Sequence, residues 1–142
     1  MFKALTDMML VSPQIDEAGV AEAARQGVTL IINNRPDGES ADQPSGADIA
    51  VAARAAGMAY IAIPVTAAGF SMPQIAVMAA ALDGAEGKVL AYCRSGTRST
   101  NLWALARASQ GASAEDLTPL AARAGYDLSS LSVMLTMLAQ GK

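Results

Sequence analysis

The chain contains no histidine and only one cysteine. Without imidazole there is no Ser–His or Cys–His catalytic pair and no His-based metal site, which argues against a zinc enzyme. A single thiol cannot close an internal disulfide, so a reducing, cytoplasmic setting is expected. There is no basic excess either: the net charge is −3, and bulk nucleic-acid binding needs a positive face. No window reaches the roughly 18 uninterrupted apolar residues of a membrane span. The first seven residues, interrupted by Asp7, lack the layout of a secretory signal. Aromatics are scarce at 4 %, whereas hydrophobic residues reach 52 % and are mostly alanine, a composition suited to closely packed helices. No internal repeat, long linker or second composition regime is present. Residues 1–142 are therefore expected to form one domain. A chain of this size buries about two-thirds of its unfolded surface, enough for one real core.

Strand-like and helix-like stretches alternate. Residues 8–11 and 58–63 read as strands, and 28–33 (VTLIIN) is the clearest one. Its continuous β-branched run fits burial on both faces of a parallel sheet. Residues 88–92 form a further strand. Helices are expected over 16–26, 48–56, 71–82, 99–110 and 113–124, with a last one capped by Asp127. Gly27, Gly57 and Gly125 act as stops, and Ser71 and Ser113 as N-caps. The C-terminal stripe Leu128, Leu131, Met134, Leu135 and Leu138 is core or a self-association face. The expected fold is α/β: a largely parallel central sheet of about four to five strands, flanking helices and a helical C-terminal cluster.

The cysteine sits in LAYCRSGTRSTNLWALA, residues 89–105. Cys93 ends a strand, and a short polar loop leads from it straight into a helix. Sites in open α/β sheets form beyond the carboxyl ends of strands. Unsatisfied N–H groups and the dipole at a helix N-terminus favour an anion, or a thiolate over a thiol. Arg94 and Arg98 add positive charge, and Gly96 permits a backbone turn that aims successive N–H groups inward. Lone cysteines are commonly small buried hydrophobes. A structural cysteine, however, has no need of two arginines within five residues. Cys93 is thus read as a nucleophile open to substrate, with Arg98 offsetting the developing anion. Arg94, Ser95, Gly96, Thr97 and Ser99 form a substrate-binding loop in which Thr97 and Ser99 hydrogen-bond the sulfur or hold the backbone. The long polar loop from Asn34, with Arg35, Asp37 and Glu39, is either a second wall of the site, with Arg35 binding substrate, or a solvated loop tied by an Arg35–Asp37 or Arg35–Glu39 pair. No cofactor or metal is called for. Asp83 and Glu86 precede the cysteine strand and lie about 17–20 Å from its far end, too far to act as acids.

CRSGTR resembles the active-site loops of cysteine phosphatases and of rhodanese-type sulfurtransferases. Phosphatases space Cys and Arg by five residues. Here four intervene, Ser99 occupying the position of the expected Arg, as in the shorter rhodanese loop. INNRPDGE (32–39), QP (43–44), AAGMAYIAIPV (55–65) and the Cys93 segment together resemble a bacterial phosphatase-like family whose domain also occurs fused to metallo-β-lactamase-like hydrolases. That resemblance implies a dual-specificity-phosphatase fold, a Cys93 persulfide and a persulfide-handling hydrolase as a partner. Two departures from the phosphatase pattern stand out. Tyr92 replaces the usual His, and VTAAGFSM (65–72) lacks the expected general-acid Asp. Losing such an acid costs about 10²–10⁴-fold in rate, whereas thiosulfate releases sulfite without one. The expectation is a rhodanese-like sulfurtransferase passing sulfur from a small anionic donor, thiosulfate or a persulfide, to a thiol or cyanide. The alternative is a phosphatase acting on a phosphate ester through a Cys93 phosphocysteine. A third class is a non-catalytic anion-binding or redox-sensing module. Neither nucleic acid nor membrane is an expected partner.

Overall fold

The computed structural model describes residues 1–141. Five strands form one sheet in the order β1-β2-β5-β3-β4. They are β1 (Lys3–Thr6), β2 (Met9–Ser12), β3 (Val28–Asn33), β4 (Ala59–Ala62) and β5 (Lys88–Tyr92). All neighbours run parallel except β1 and β2, which are antiparallel. The helices are α1 (Glu17–Arg25), α2 (Gly46–Ala55), α3 (Met72–Gly84), α4 (Thr97–Ser109), α5 (Ala114–Arg123) and α6 (Ser132–Gln140). The α/β architecture is as expected from the sequence.

β1 is the element that sequence reading missed. Of its four residues only Leu5 is buried, so no alternation registers beside the polar Lys3, Thr6 and Asp7. The first strand read from sequence lies one residue later, at Met9–Ser12. Asp127 does not cap the last helix directly. Its carboxylate accepts from Ser129 N–H at 2.8 Å and opens a 3₁₀ turn over Ser129–Leu131, after which α6 begins.

Two cores lie on opposite faces of the sheet. Ile31, Leu90 and Tyr92 pack against Val20 and Ala23 of α1 and Ile49 and Ala53 of α2. On the other face Ile32, Val89 and Ala91 meet α3 through α6, with Leu102, Trp103 and Leu105 of α4 at the centre. Each such large apolar side chain contributes about 1.5–3 kcal/mol on burial. Leu128 and Leu135 of the C-terminal stripe are enclosed in this second core, and Leu131, Met134 and Leu138 pack on it, so the stripe is core. Because β5 lies between β2 and β3, its C-terminal end opens amid the ends of both neighbours, the crevice where α/β sheets place ligands.

Candidate active site

The carboxyl end of β5 is pinned from both sides. Cys93 N–H donates to Ser12 carbonyl at 3.3 Å, and Asn34 N–H donates to Tyr92 carbonyl at 2.8 Å. Side chains alternate along a strand, so Tyr92 points into the α1–α2 core while Cys93 continues the Val89–Ala91 row toward α4. Burial, with Tyr60 beside it, pushes the Tyr92 phenol pKa well above its ordinary value, so it stays neutral. The residue in the position of the phosphatase His thus faces away from the thiol.

Cys93 is fully enclosed, at 0 % exposure. The sequence leads one to expect an open thiol. Instead the loop closes over it, and Gly96 N–H donates to Cys93 Sγ at 3.1 Å. The sulfur therefore sits beneath polar backbone. Gly96 has φ +94°, in the left-handed region, and it is the N-cap of α4 without a side-chain cap bond. In contrast, Asp16, Ser45, Ser71 and Ser113 cap α1, α2, α3 and α5 with their own oxygens. At α4 the N-cap residue supplies no oxygen: Thr97 N–H makes only a long 3.4 Å bond to Ser95 Oγ, and Gly96 N–H is turned to the sulfur.

Arg98, in the first turn of α4, is held in a fixed orientation. Its Nη1 donates to Glu39 Oε2 and to Val65 carbonyl, both at 2.8 Å, and its Nη2 donates to Glu39 Oε1 at 2.8 Å. Glu39 thereby grips the end of the fork. The remaining pair of donors, Nε–H and the second Nη2–H, lies along the guanidinium's other long edge, the geometry for two oxygens of an anion. The Glu39 bond raises the Arg98 pKa against the opposing effect of burial, and the nearby Cys93 sulfur adds to the rise. In turn the Arg98 hydrogen bond, helped by Arg35, pulls Glu39 down to about 2 against its own desolvation. Glu39 is therefore a carboxylate at neutral pH, unable to donate a proton.

The second-wall residues separate into different positions. Arg35 is buried, and its three nitrogens reach Glu39 (3.0 Å), Gln14 (3.0 Å) and Ser40 (3.2 Å). Asp37 accepts from Gly46 N–H at 2.8 Å, at the start of α2. Asn34 lies beside Cys93 on the same sheet face, one step beyond the paired Asn33 and Tyr92. Its amide donates to Ile63 carbonyl at 2.9 Å, while its buried Oδ1 has no partner. Within the cysteine loop, Arg94, Ser95 and Thr97 are exposed. Ser95 Oγ donates to Thr97 Oγ1 at 3.0 Å. Ser99 is buried and its Oγ is unpartnered. Val65, which carries the carbonyl on Arg98, begins the acid-free segment, so that segment does abut the site.

Three contributors were not singled out from sequence. Thr100 holds the loop by donating its hydroxyl to Gly96 carbonyl at 2.8 Å. Gln14 meets both Arg35 and the loop, its N–H donating to Arg94 carbonyl at 3.3 Å. Tyr126, between α5 and α6, donates its hydroxyl to Ser95 carbonyl at 3.0 Å. Thr100 could have been found as a hydroxyl four residues after the turn glycine. Tyr126 could not, because only the packing of α5 on α4 brings it there. No group of three metal-ligating side chains occurs among the described residues, and no helix among them is long and apolar enough to cross a membrane.

The family model for the phosphatase-like domain of beta-lactamase hydrolase-like proteins matches residues 1–110. A beta-lactamase hydrolase-like protein of Xylella fastidiosa is 35 % identical over 125 residues, covering 87 % of this chain but 29 % of that protein. The chain thus spans under a third of that curated relative. Among solved structures, a candidate phosphatase of Neisseria meningitidis Z2491 is similar at 33 % identity and a TM-score of 0.83 over 96 % of each chain. The active form of Tk-PTP matches in fold alone, at 18 % identity and a TM-score of 0.72 over 98 % of this chain and 96 % of that one.

Proposed function

We propose, on the premise that the chain belongs to the phosphatase-like domain family of beta-lactamase hydrolase-like proteins, that it is a cysteine-phosphatase-type enzyme. Cys93 is its nucleophile, and its substrates are phosphate monoesters whose leaving group departs without a proton. The observation that carries this reading is the pairing, within a cysteine-phosphatase-like fold, of Cys93 Sγ under Gly96 N–H with the free edge of Arg98.

In the first step the Cys93 thiolate attacks phosphorus and the P–O bond to the leaving group breaks, giving a Cys93 phosphocysteine. Water then takes the phosphoryl group and restores the thiolate. Arg98 binds two phosphoryl oxygens through Nε and Nη2, and the loop N–H groups receive the charge that develops on them. Exposed Arg94 draws anions to the mouth by long-range attraction. Arg35 acts behind Arg98 by orienting Glu39. Protonating an alkoxide is the step with no provision: the 65–72 segment holds no carboxylate, and Glu39 stays ionised.

A second reading, sulfur transfer, is favoured by that same lack of an acid and by the four-residue Cys–Arg spacing. In it the Cys93 thiolate takes the outer sulfur of thiosulfate, sulfite leaves with the bonding electrons, and cyanide or a thiolate removes the sulfur from the persulfide. A metallo-β-lactamase-like hydrolase as a partner belongs to this reading.

Purified protein and its Cys93→Ser variant should be assayed with nitrophenyl phosphate, with glycerol phosphate, and with thiosulfate plus cyanide. The expected result is Cys93-dependent release of nitrophenol, with the aliphatic ester slower by about 10²-fold or more. Thiocyanate without phosphate release overturns the phosphatase reading in favour of sulfur transfer. Silence in every assay leaves only an anion-binding or redox-sensing module.

A further inference from the structure

The Ser95–Gly96 peptide carries two hydrogen bonds with different partners at its two ends. Its carbonyl oxygen, on Ser95, accepts from Tyr126 Oη at 3.0 Å. Its N–H, on Gly96, donates to Cys93 Sγ at 3.1 Å. A trans peptide is planar, with C=O and N–H pointing in opposite directions. Whatever fixes one end therefore aims the other. The peptides on either side are held by other groups, the Arg94 carbonyl by Gln14 N–H and the Gly96 carbonyl by Thr100, whereas the Ser95 carbonyl is held by Tyr126. Gly96 lies in the left-handed region, where a glycine leaves the adjoining peptides freest to turn, and α4 has no side-chain cap. The tyrosine also occupies the space where any side chain on residue 96 would project, because a Cβ there would collide with its hydroxyl and ring. Burial and the nearby Cys93 sulfur raise the Tyr126 pKa, so its hydroxyl keeps its proton and remains a donor.

We infer that Tyr126 is a positioning residue for the nucleophile, acting through the Ser95–Gly96 peptide to hold and polarise the N–H that stabilises the Cys93 thiolate. The inference rests on Cys93 being the nucleophile of the proposed reaction. Hydrogen bonds in series strengthen one another, so donation to the carbonyl makes the N–H at the opposite end a better donor. The other charged group facing the sulfur is Arg98 from α4, with Glu39 and Arg35 of the β3–α2 loop behind it. None of these touches the Ser95 carbonyl. Tyr126 lies beyond residues 1–110, the part matched by the family model, so this chain draws a component of its site from outside that segment.

The test is alkylation of Cys93 by iodoacetamide, followed by intact mass between pH 5 and 9, in wild type and Tyr126→Phe. Removing one hydroxyl keeps the ring over Gly96. The pH midpoint should move up by about half a unit, so that the rate on the acid side of the midpoint falls about threefold while the rates converge at high pH. A merely structural role would leave the midpoint in place. Tyr126→Ala, which also removes the cover, should show the same upward displacement together with faster reaction toward a bulky aromatic disulfide. An unmoved midpoint in either folded variant overturns the inference. If wild-type Cys93 reacts only as an ordinary free cysteine, or not at all, the proposed nucleophile fails instead.

Discussion

The two ends of α4 carry the same chemical pairing put to opposite uses. At the start, Arg98 meets Glu39 in a two-pronged contact at 2.8 Å, with both side chains about a quarter exposed. In the last turn, Arg107 meets Asp83 through one nitrogen at 3.3 Å, with Asp83 63 % exposed. A helix N-terminus is its positive end, so a cation there works against the dipole, whereas one at the C-terminus complements it. Arg107 is placed as stability dictates. On the proposed function, Arg98 is placed as an anion site would require, and Glu39 offsets the penalty. The difference teaches where to look for a site: at a charge set against its helix and tied down by a second charge brought from a distant loop.

The sharpest way to break this comparison is to remove Arg98. Arg98→Ala should lower kcat/KM for nitrophenyl phosphate about 10²–10³-fold, the loss typical of an anion-stabilising donor. Its stability in urea should fall by only about 1 kcal/mol. An unfavourable helix-end cation goes with the bonds, and Glu39 keeps Arg35. Severe destabilisation with activity retained in the surviving folded fraction would reverse the roles assigned to the two ends.

Glu39→Gln tests the tie itself. Arg98 would keep its Val65 carbonyl contact but lose its charged partner. The activity loss should be about tenfold, smaller than for Arg98→Ala because the guanidinium is still present, only less well aimed. Loss of charge-assisted hydrogen bonds at a solvent-facing position should cost about 1 kcal/mol near pH 7. The pH dependence follows from the Arg98 bond that holds Glu39 at about 2, against an ordinary 4.5. A carboxylate lowered on folding stabilises the native state fully above its unfolded value and loses that contribution as pH falls through the folded one. Urea midpoints of wild type and variant should therefore differ most above pH 5 and converge between about 4.5 and 2. A gap undiminished at pH 2.5 would mean that Glu39 acts by shape and not by charge.

How much of this was legible beforehand follows from the range of each interaction. The Cys93 strand, the loop glycine and the helix behind it are local, and their residues declare themselves in CRSGTR. The β3–α2 loop announced itself by length and polarity, but not which of its carboxylates would reach Arg98. Glu39 does and Asp37 does not, because Asp37 turns back to Gly46 N–H. That choice depends on how the chain turns between Pro36 and Ser45. Enclosure of the thiol was equally illegible. It comes from the way the loop, with Tyr126 set against Gly96, folds back onto the sulfur, a product of tertiary packing. Likewise β1 gains its identity from pairing with β2, not from its own four residues.

Arg107→Ala is expected to have the smallest effect, and it completes the contrast. Arg107 shares Asp83 with Gln110, whose amide donates to Asp83 Oδ2 at 2.7 Å, so the carboxylate is not left alone when the guanidinium is removed. Exposed pairs of this kind contribute about 0–1 kcal/mol, and the favourable dipole contact adds a few tenths at ordinary salt. The variant should lose no more than about 1 kcal/mol in urea unfolding, and the loss should shrink in 1 M salt, where screening reaches within about 3 Å. Its kcat/KM should match wild type, since the last turn of α4 lies at the end of the helix remote from Cys93. A tenfold fall in activity without loss of stability would mean that α4 transmits charge along its length, and the separation of roles between its two ends would have to be abandoned.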